Sequence, residues 1–149
     1  MSSQENIEIV REVLEKGFGD GDLSVIDRYV ASDFIEHQDG AQGTGPDAVK
    51  GVIRGLHESF TDMHLVVKDI VAVGDHVWVR VQAHGVNSKP IIGRPATGRS
   101  ITIDIIDQIR LRDGKLIEHW GVADRFAMLQ QLGLLPQPGL AERPEGKAA

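Results

Sequence analysis

The sequence predicts an α+β domain: helices followed by a strongly curved antiparallel sheet that packs on them as a cone-shaped barrel. Three observations predict it. Apolar residues recur at helical spacing as far as about Phe60. From Met63 onward the period changes to two and β-branched residues take over. Gly74-Asp75 and Asp113-Gly114 each separate two long alternating runs, as hairpin turns do.

Each element has its own signal. In "QENIEIVREVLEKGF", residues 4–18, Ile7, Val10, Leu14 and Phe18 form one stripe with acids early in the segment, so a first helix is expected. "GDGD" breaks it, and "LSVIDRYV" supplies a short second helix. "DFIEHQDGAQGTGP" reads as an extended piece and a loop, after which Pro46 sits where a first helical residue should, opening a third helix. "MHLVVKDIVAV" and "HVWVRVQAHGV" make the first hairpin, in which Asp69 and Arg80 pair across the strands. "NSKPIIGRPATGRS" is a Gly/Pro-punctuated loop placed over the mouth of the cone. "ITIDIIDQIRLR" and "KLIEHWGVAD" form the second hairpin, and a helix from about Arg125 to Leu132 follows. Residues 1–135 are expected as one domain, with 136–149, rich in Pro, Gly and charge, as a flexible tail.

Composition narrows the chemistry. A chain of 149 residues with 41% apolar residues can bury one core unaided. Cysteine is absent, which removes disulfides, thiolate metal sites and cysteine nucleophiles. A net charge of −6 with scattered basic residues argues against a nucleic-acid partner. No run reaches the roughly 20 apolar residues of a membrane span, and the N-terminus lacks a signal-peptide pattern, so a cytoplasmic protein away from membranes is expected. The histidines show no metal spacing, so no metal is expected.

The last hairpin decides the candidate site, because a one-residue slip flips every side chain. A two-residue turn at Asp113-Gly114 sets Asp107 opposite Trp120. A bulged turn over Arg112-Asp113-Gly114 instead places Thr102, Asp104, Ile106, Gln108 and Arg110 on one face with Glu118, Trp120 and Asp124. Both are open; the bulged turn is favoured because it sorts the faces cleanly. Ile101, Ile103, Ile105, Ile109 and Leu111 then form an apolar back, which a homodimer would cover. The polar face around Trp120 is expected to look into the cone.

On that reading Asp124 is the candidate base, its pKa raised by a dry pocket and by Asp104, although Asp is also a favoured helix N-cap. Trp120 is a flat wall for a planar substrate or simply core. Gln108 and Arg110 are candidate donors to a forming enolate, and His37 lies near the mouth.

The run "DFIEH", "FTDMHLVVKDIVAVGDHVWVR", "GRPATGRSI" and "DQIRLRDGKLIEHWGVAD" together resemble the SnoaL-like polyketide cyclases, or ester cyclases, of the nuclear-transport-factor-2-like superfamily. The resemblance covers roughly residues 5–135. It implies an α+β cone, a homodimer, and closure of a polyketide ring by intramolecular aldol condensation without cofactor. It carries the acid/base aspartate onto Asp124 and the pocket glutamine onto Gln108. Arg110 stands where characterised cyclases have histidine, a departure that bears on the reaction because a guanidinium does not exchange protons as imidazole does. Three readings follow: a cofactor-free cyclase or isomerase, a non-catalytic ligand-binding dimer, and a hydrolase or dehydratase on the same scaffold.

Overall fold

The computed structural model describes residues 1–38 and 43–135; the expected tail, 136–149, and part of the loop before the third helix lie outside the described residues. Helix α1 (Ser3–Glu12) starts at a capping box, in which the Ser2 hydroxyl accepts from the Glu5 N–H and the Glu5 carboxylate accepts from the Ser2 N–H. It runs on through a π-helical segment, Val13–Gly19, where a single regular helix was expected. Glycines explain the close packing there: a Cβ on Gly17 would sit 3.1 Å from Ile26, and one on Gly19 3.0 Å from the Leu65 backbone nitrogen. Helix α2 (Leu23–Tyr29) follows, capped by Asp22, and then strand β1 (Val30–Glu36) and helix α3 (Gly45–Ser59) with Pro46 in its first turn.

Strands β2 (Phe60–Val73), β3 (His76–Asn87), β4 (Ser100–Arg112) and β5 (Lys115–Ala123) are antiparallel to one another, and α4 (Arg125–Gln131) follows β5. The order across the sheet is β1-β5-β4-β3-β2. The extended piece expected near Phe34 joins as β1, parallel to β5, so the sheet is mixed rather than wholly antiparallel. The Asp69–Arg80 pair expected from the first hairpin forms, with Arg80 Nε donating to Asp69 Oδ2 at 2.7 Å.

The second hairpin combines both registers weighed from the sequence. Arg112 pairs with Lys115, and Asp113 and Gly114 have φ of 50° and 72°, the positive pair of a two-residue primed turn. The extra residue enters one step later, between the Arg110–Glu118 and Leu111–Leu116 pairs, as a bulge on β5. Gln108 therefore faces Trp120, and the two faces sort as the bulged turn would sort them.

Which face looks inward is the reverse of the expectation. Ile101, Ile103, Ile109 and Leu111 are buried, Ile103, Ile109 and Leu111 within the same core as Val10, Leu14, Ile26 and Ile53 of the helices. The row taken as the back of the sheet is the front, because the helices cover it. The face carrying Trp78, Ile106, Trp120 and Val122 points away from them and is exposed.

Candidate functional site

Helices and the inner face of the sheet enclose a cavity of about 560 Å³. Val10, Leu14, Val49, Leu56, Leu65 and Ile103 make its walls, and Ile91 reaches it from the loop between β3 and β4. At one end the lining turns polar: Glu36, Gln38, Asp107 and His119.

Strand pairing brings these groups together. Glu36 and His119 are neighbours on the parallel pair β1 and β5, on the same face, and the His119 Nδ1–H donates to Glu36 Oε1 at 2.7 Å. The Gln38 backbone N–H donates to the same oxygen at 2.9 Å and fixes it. Asp107, on β4, lies diagonally across from His119 with Gly121 as its direct partner. Its Oδ1 sits 3.0 Å from His119 Nε2. That oxygen is buried and has no well-aligned hydrogen bond, so the contact is an ion pair whose acceptor capacity is left partly unused.

The electrostatics follow from burial and pairing. Desolvation alone would push the His119 imidazole down, but Asp107 and Glu36 on its two nitrogens outweigh it and hold it up at about 9. At neutral pH His119 is therefore an imidazolium between two carboxylates. It is a donor, not a base. A buried charged triplet set in an apolar hollow is the arrangement expected of proton chemistry.

The residues singled out from the sequence lie elsewhere. Asp124 is exposed and N-caps α4, its Oδ1 accepting from the Ala127 N–H at 2.9 Å. Asp104, expected to raise it, is exposed on the outer face and 3.7 Å from Arg80. Trp120 and Gln108 line a shallow outer groove of about 500 Å³ with Trp78 and Ile106. His37 is there too, stacked on Trp120 with ring centroids 4.5 Å apart and an interplanar angle of 8°. Arg110 is on the same outer face, with Nη1 2.5 Å from Glu118 Oε2. The inverted face of the sheet explains the placement of Asp104, Gln108, Arg110 and Trp120 at once. The groove and the cavity share Gln38, Ala123 and Arg125 in their linings.

Glu36, Asp107 and His119 were missed by sequence reasoning, yet one signal was present. Ile101, Ile103, Ile105, Asp107, Ile109 and Leu111 are a single alternating row with one carboxylate in it. Among the described residues no group of three or more His, Asp or Glu side chains is arranged to hold a metal, and no helix is long and apolar enough to cross a membrane.

The α+β architecture agrees with that of known proteins. Residues 8–132 match the family model described as SnoaL-like polyketide cyclase. The chain belongs to the SnoaL-like polyketide cyclase family. Among curated relatives, it is 27% identical over 139 residues to the aklanonic acid methyl ester cyclase DnrD of Streptomyces peucetius, covering 89% of this chain and 92% of that one. Wild-type IdmH of Streptomyces antibioticus is 31% identical, with a TM-score of 0.77 over 86% of this chain and 98% of the other. TsrD of Streptomyces laurentii shares the fold, with a TM-score of 0.83 at 24% identity over 91% of this chain and 99% of the other.

Proposed function

We propose that this SnoaL-like chain is a cofactor-free polyketide cyclase in which Asp107 is the general base and returning acid, and the His119 imidazolium is the hydrogen-bond donor to the enolate. The observation that carries this reading is the Glu36–His119–Asp107 cluster in the lining of a largely apolar cavity. The substrate is a small hydrophobic polyketide-like molecule whose carbonyl end reaches the cluster.

Asp107 Oδ1 takes the proton on the carbon alpha to a carbonyl; the C–H bond breaks, an O–H bond forms on Asp107, and the electron pair becomes an enolate. Protonation removes the negative charge that held His119 Nε2, so that N–H can donate instead to an enolate oxygen placed beside it, with no movement of the ring. Net charge at the site is conserved in this step. The enolate carbon then attacks a second carbonyl of the same molecule, and the resulting alkoxide takes the proton back from Asp107. Glu36 keeps the imidazolium protonated and oriented throughout. Asp124, proposed from the sequence as the base, is left its capping role.

The same scaffold supports a homodimer through the outer face of the sheet, where Trp78, Ile106, Trp120 and Val122 are exposed together. The ligand-binding reading keeps one observation in its favour: the imidazolium is already ion-paired with a carboxylate at each ring nitrogen.

Aklanonic acid methyl ester, the compound in the name of the DnrD relative, is the first substrate to try. Asp107→Asn is expected to lower ring closure at least ~100-fold while the variant still binds the ester. Full turnover by Asp107→Asn would remove the base assignment.

A further inference from the structure

We propose that Gly121 is the positioning residue of this site: the missing side chain is what lets Asp107 lean across β5 and reach His119. The inference rests on the reading of Asp107 as the base.

A glycine inside a strand weakens it, so its presence asks for a reason. Backbone conformation is not the reason, because Gly121 lies outside the left-handed region that glycine alone favours. Space is. A Cβ at position 121 would stand 2.5 Å from Asp107 Oδ1, 2.7 Å from Gln38 Oε1 and 2.7 Å from His119 Cε1. No other glycine among the described residues has an approach this short.

What would give way can be read from how each neighbour is held. Gln38 meets the position with the far end of a flexible side chain, which swings aside at small cost. His119 is tied at Nδ1 to Glu36, and both side chains are largely buried. Asp107 is 4% exposed and is the direct cross-strand partner of Gly121, so a Cβ at 121 stands against the carboxylate oxygen that reaches His119 Nε2. A methyl group there pushes the Asp107 carboxylate off the imidazolium. The strand itself accepts alanine without strain, so the effect is confined to that pair.

The test is Gly121→Ala, followed by NMR titration of the His119 ring and by turnover. The wild-type ring should stay charged until about pH 9. Loss of one adjacent carboxylate should lower the Gly121→Ala titration by about one pH unit or more, with kcat falling at least ~10-fold and KM little changed. An unchanged His119 titration in a folded Gly121→Ala protein overturns the proposal whatever the activity does. Asp107→Asn is measured beside it: full turnover there sinks the base assignment, while the titration of Gly121→Ala still decides the role of the glycine. If Gly121→Ala fails to fold, the double variant Gly121→Ala/Asp107→Ala removes the shortest of the three approaches, that to the Asp107 carboxylate. Recovery of folding in the double variant supports the proposal, and failure of both, which puts the damaging collision on His119 instead, overturns it.

Discussion

Glu36 and His119 face the cavity side by side on the only parallel strand pair of the described sheet, with Nδ1–H of the imidazole 2.7 Å from the carboxylate. Parallel pairing matters here, because it places the exit end of β1 next to the middle of β5. A segment read from the sequence as an extended piece before a loop thus supplies the carboxylate that, after Asp107, holds the site histidine charged and orients its ring.

That pair makes stability depend on pH in a defined direction. The folded value for His119, about 9, lies above the ordinary 6.5, so its contribution is complete below about pH 6.5 and is lost as pH rises through about 9. The size is on the order of 3 kcal/mol. Urea unfolding at intervals between pH 6 and 10 should show the midpoint falling across that window, and turnover should fall with it as the imidazolium is lost. Glu36→Gln removes one of the two carboxylates, so the same fall should come at lower pH. A wild-type midpoint that is flat from pH 6.5 to 9.5 would contradict the ion cluster.

Asp124 gives a prediction of the opposite kind. Its carboxylate accepts from the Ala127 N–H and is exposed. Asparagine caps a helix about as well as aspartate, so Asp124→Asn should keep turnover and thermal midpoint near wild type. Asp124→Ala should cost about 1 kcal/mol without a large change in kcat. Loss of turnover in a stable Asp124→Asn protein would return the base to that position.

The fold was legible because it is written in period. The hairpins, their turns and the Asp69–Arg80 pair follow from alternation and Gly/Asp turns, which are local. The inward face was not legible, because alternation separates two sides without saying which one meets the helices. The apolar row Ile101 to Leu111 was taken as a dimer surface, although the N-terminal helices need such a row to pack against. The single Asp107 in that row is the clue, because an apolar row makes a buried carboxylate expensive and the proposed role as base gives it a reason. Glu36 carries no comparable clue, since its inward position depends on a parallel pairing that no local pattern announces.

The loop between β3 and β4 depends on Asn87, which is fully buried. Its Nδ2 donates to the carbonyls of Ser59 at 3.3 Å and Lys89 at 2.9 Å, and its Oδ1 accepts from the Thr97 N–H at 2.8 Å and hydroxyl at 3.1 Å. Asn87→Ala leaves several of these groups unpaired and should cost on the order of 2–4 kcal/mol. Limited proteolysis should then cut within residues 88–99 first. Because Ile91 of this loop lines the cavity, KM should rise more than kcat falls. A variant with unchanged melting and unchanged proteolysis would show that the loop is held by something else.

The outer face of the sheet supports the last prediction. Val122 is 73% exposed, Trp78 and Ile106 46% each, and Trp120 37%, and together with His37 stacked on Trp120 they form an apolar surface around a shallow groove. Exposed apolar area of this kind is stabilised by a partner, and a second copy offers the same surface in return. Val122 stands at the most exposed point and contributes nothing to the inner core, so Val122→Asp should leave the fold intact while placing a charge in the middle of the contact. Sedimentation velocity should show a dimer for the wild-type protein and a monomer for Val122→Asp, with equal thermal midpoints at low protein concentration. A wild-type protein that sediments as a monomer at high micromolar concentration would remove the dimer, and the Glu36–His119–Asp107 site would stand without it, because every group in that site comes from one chain.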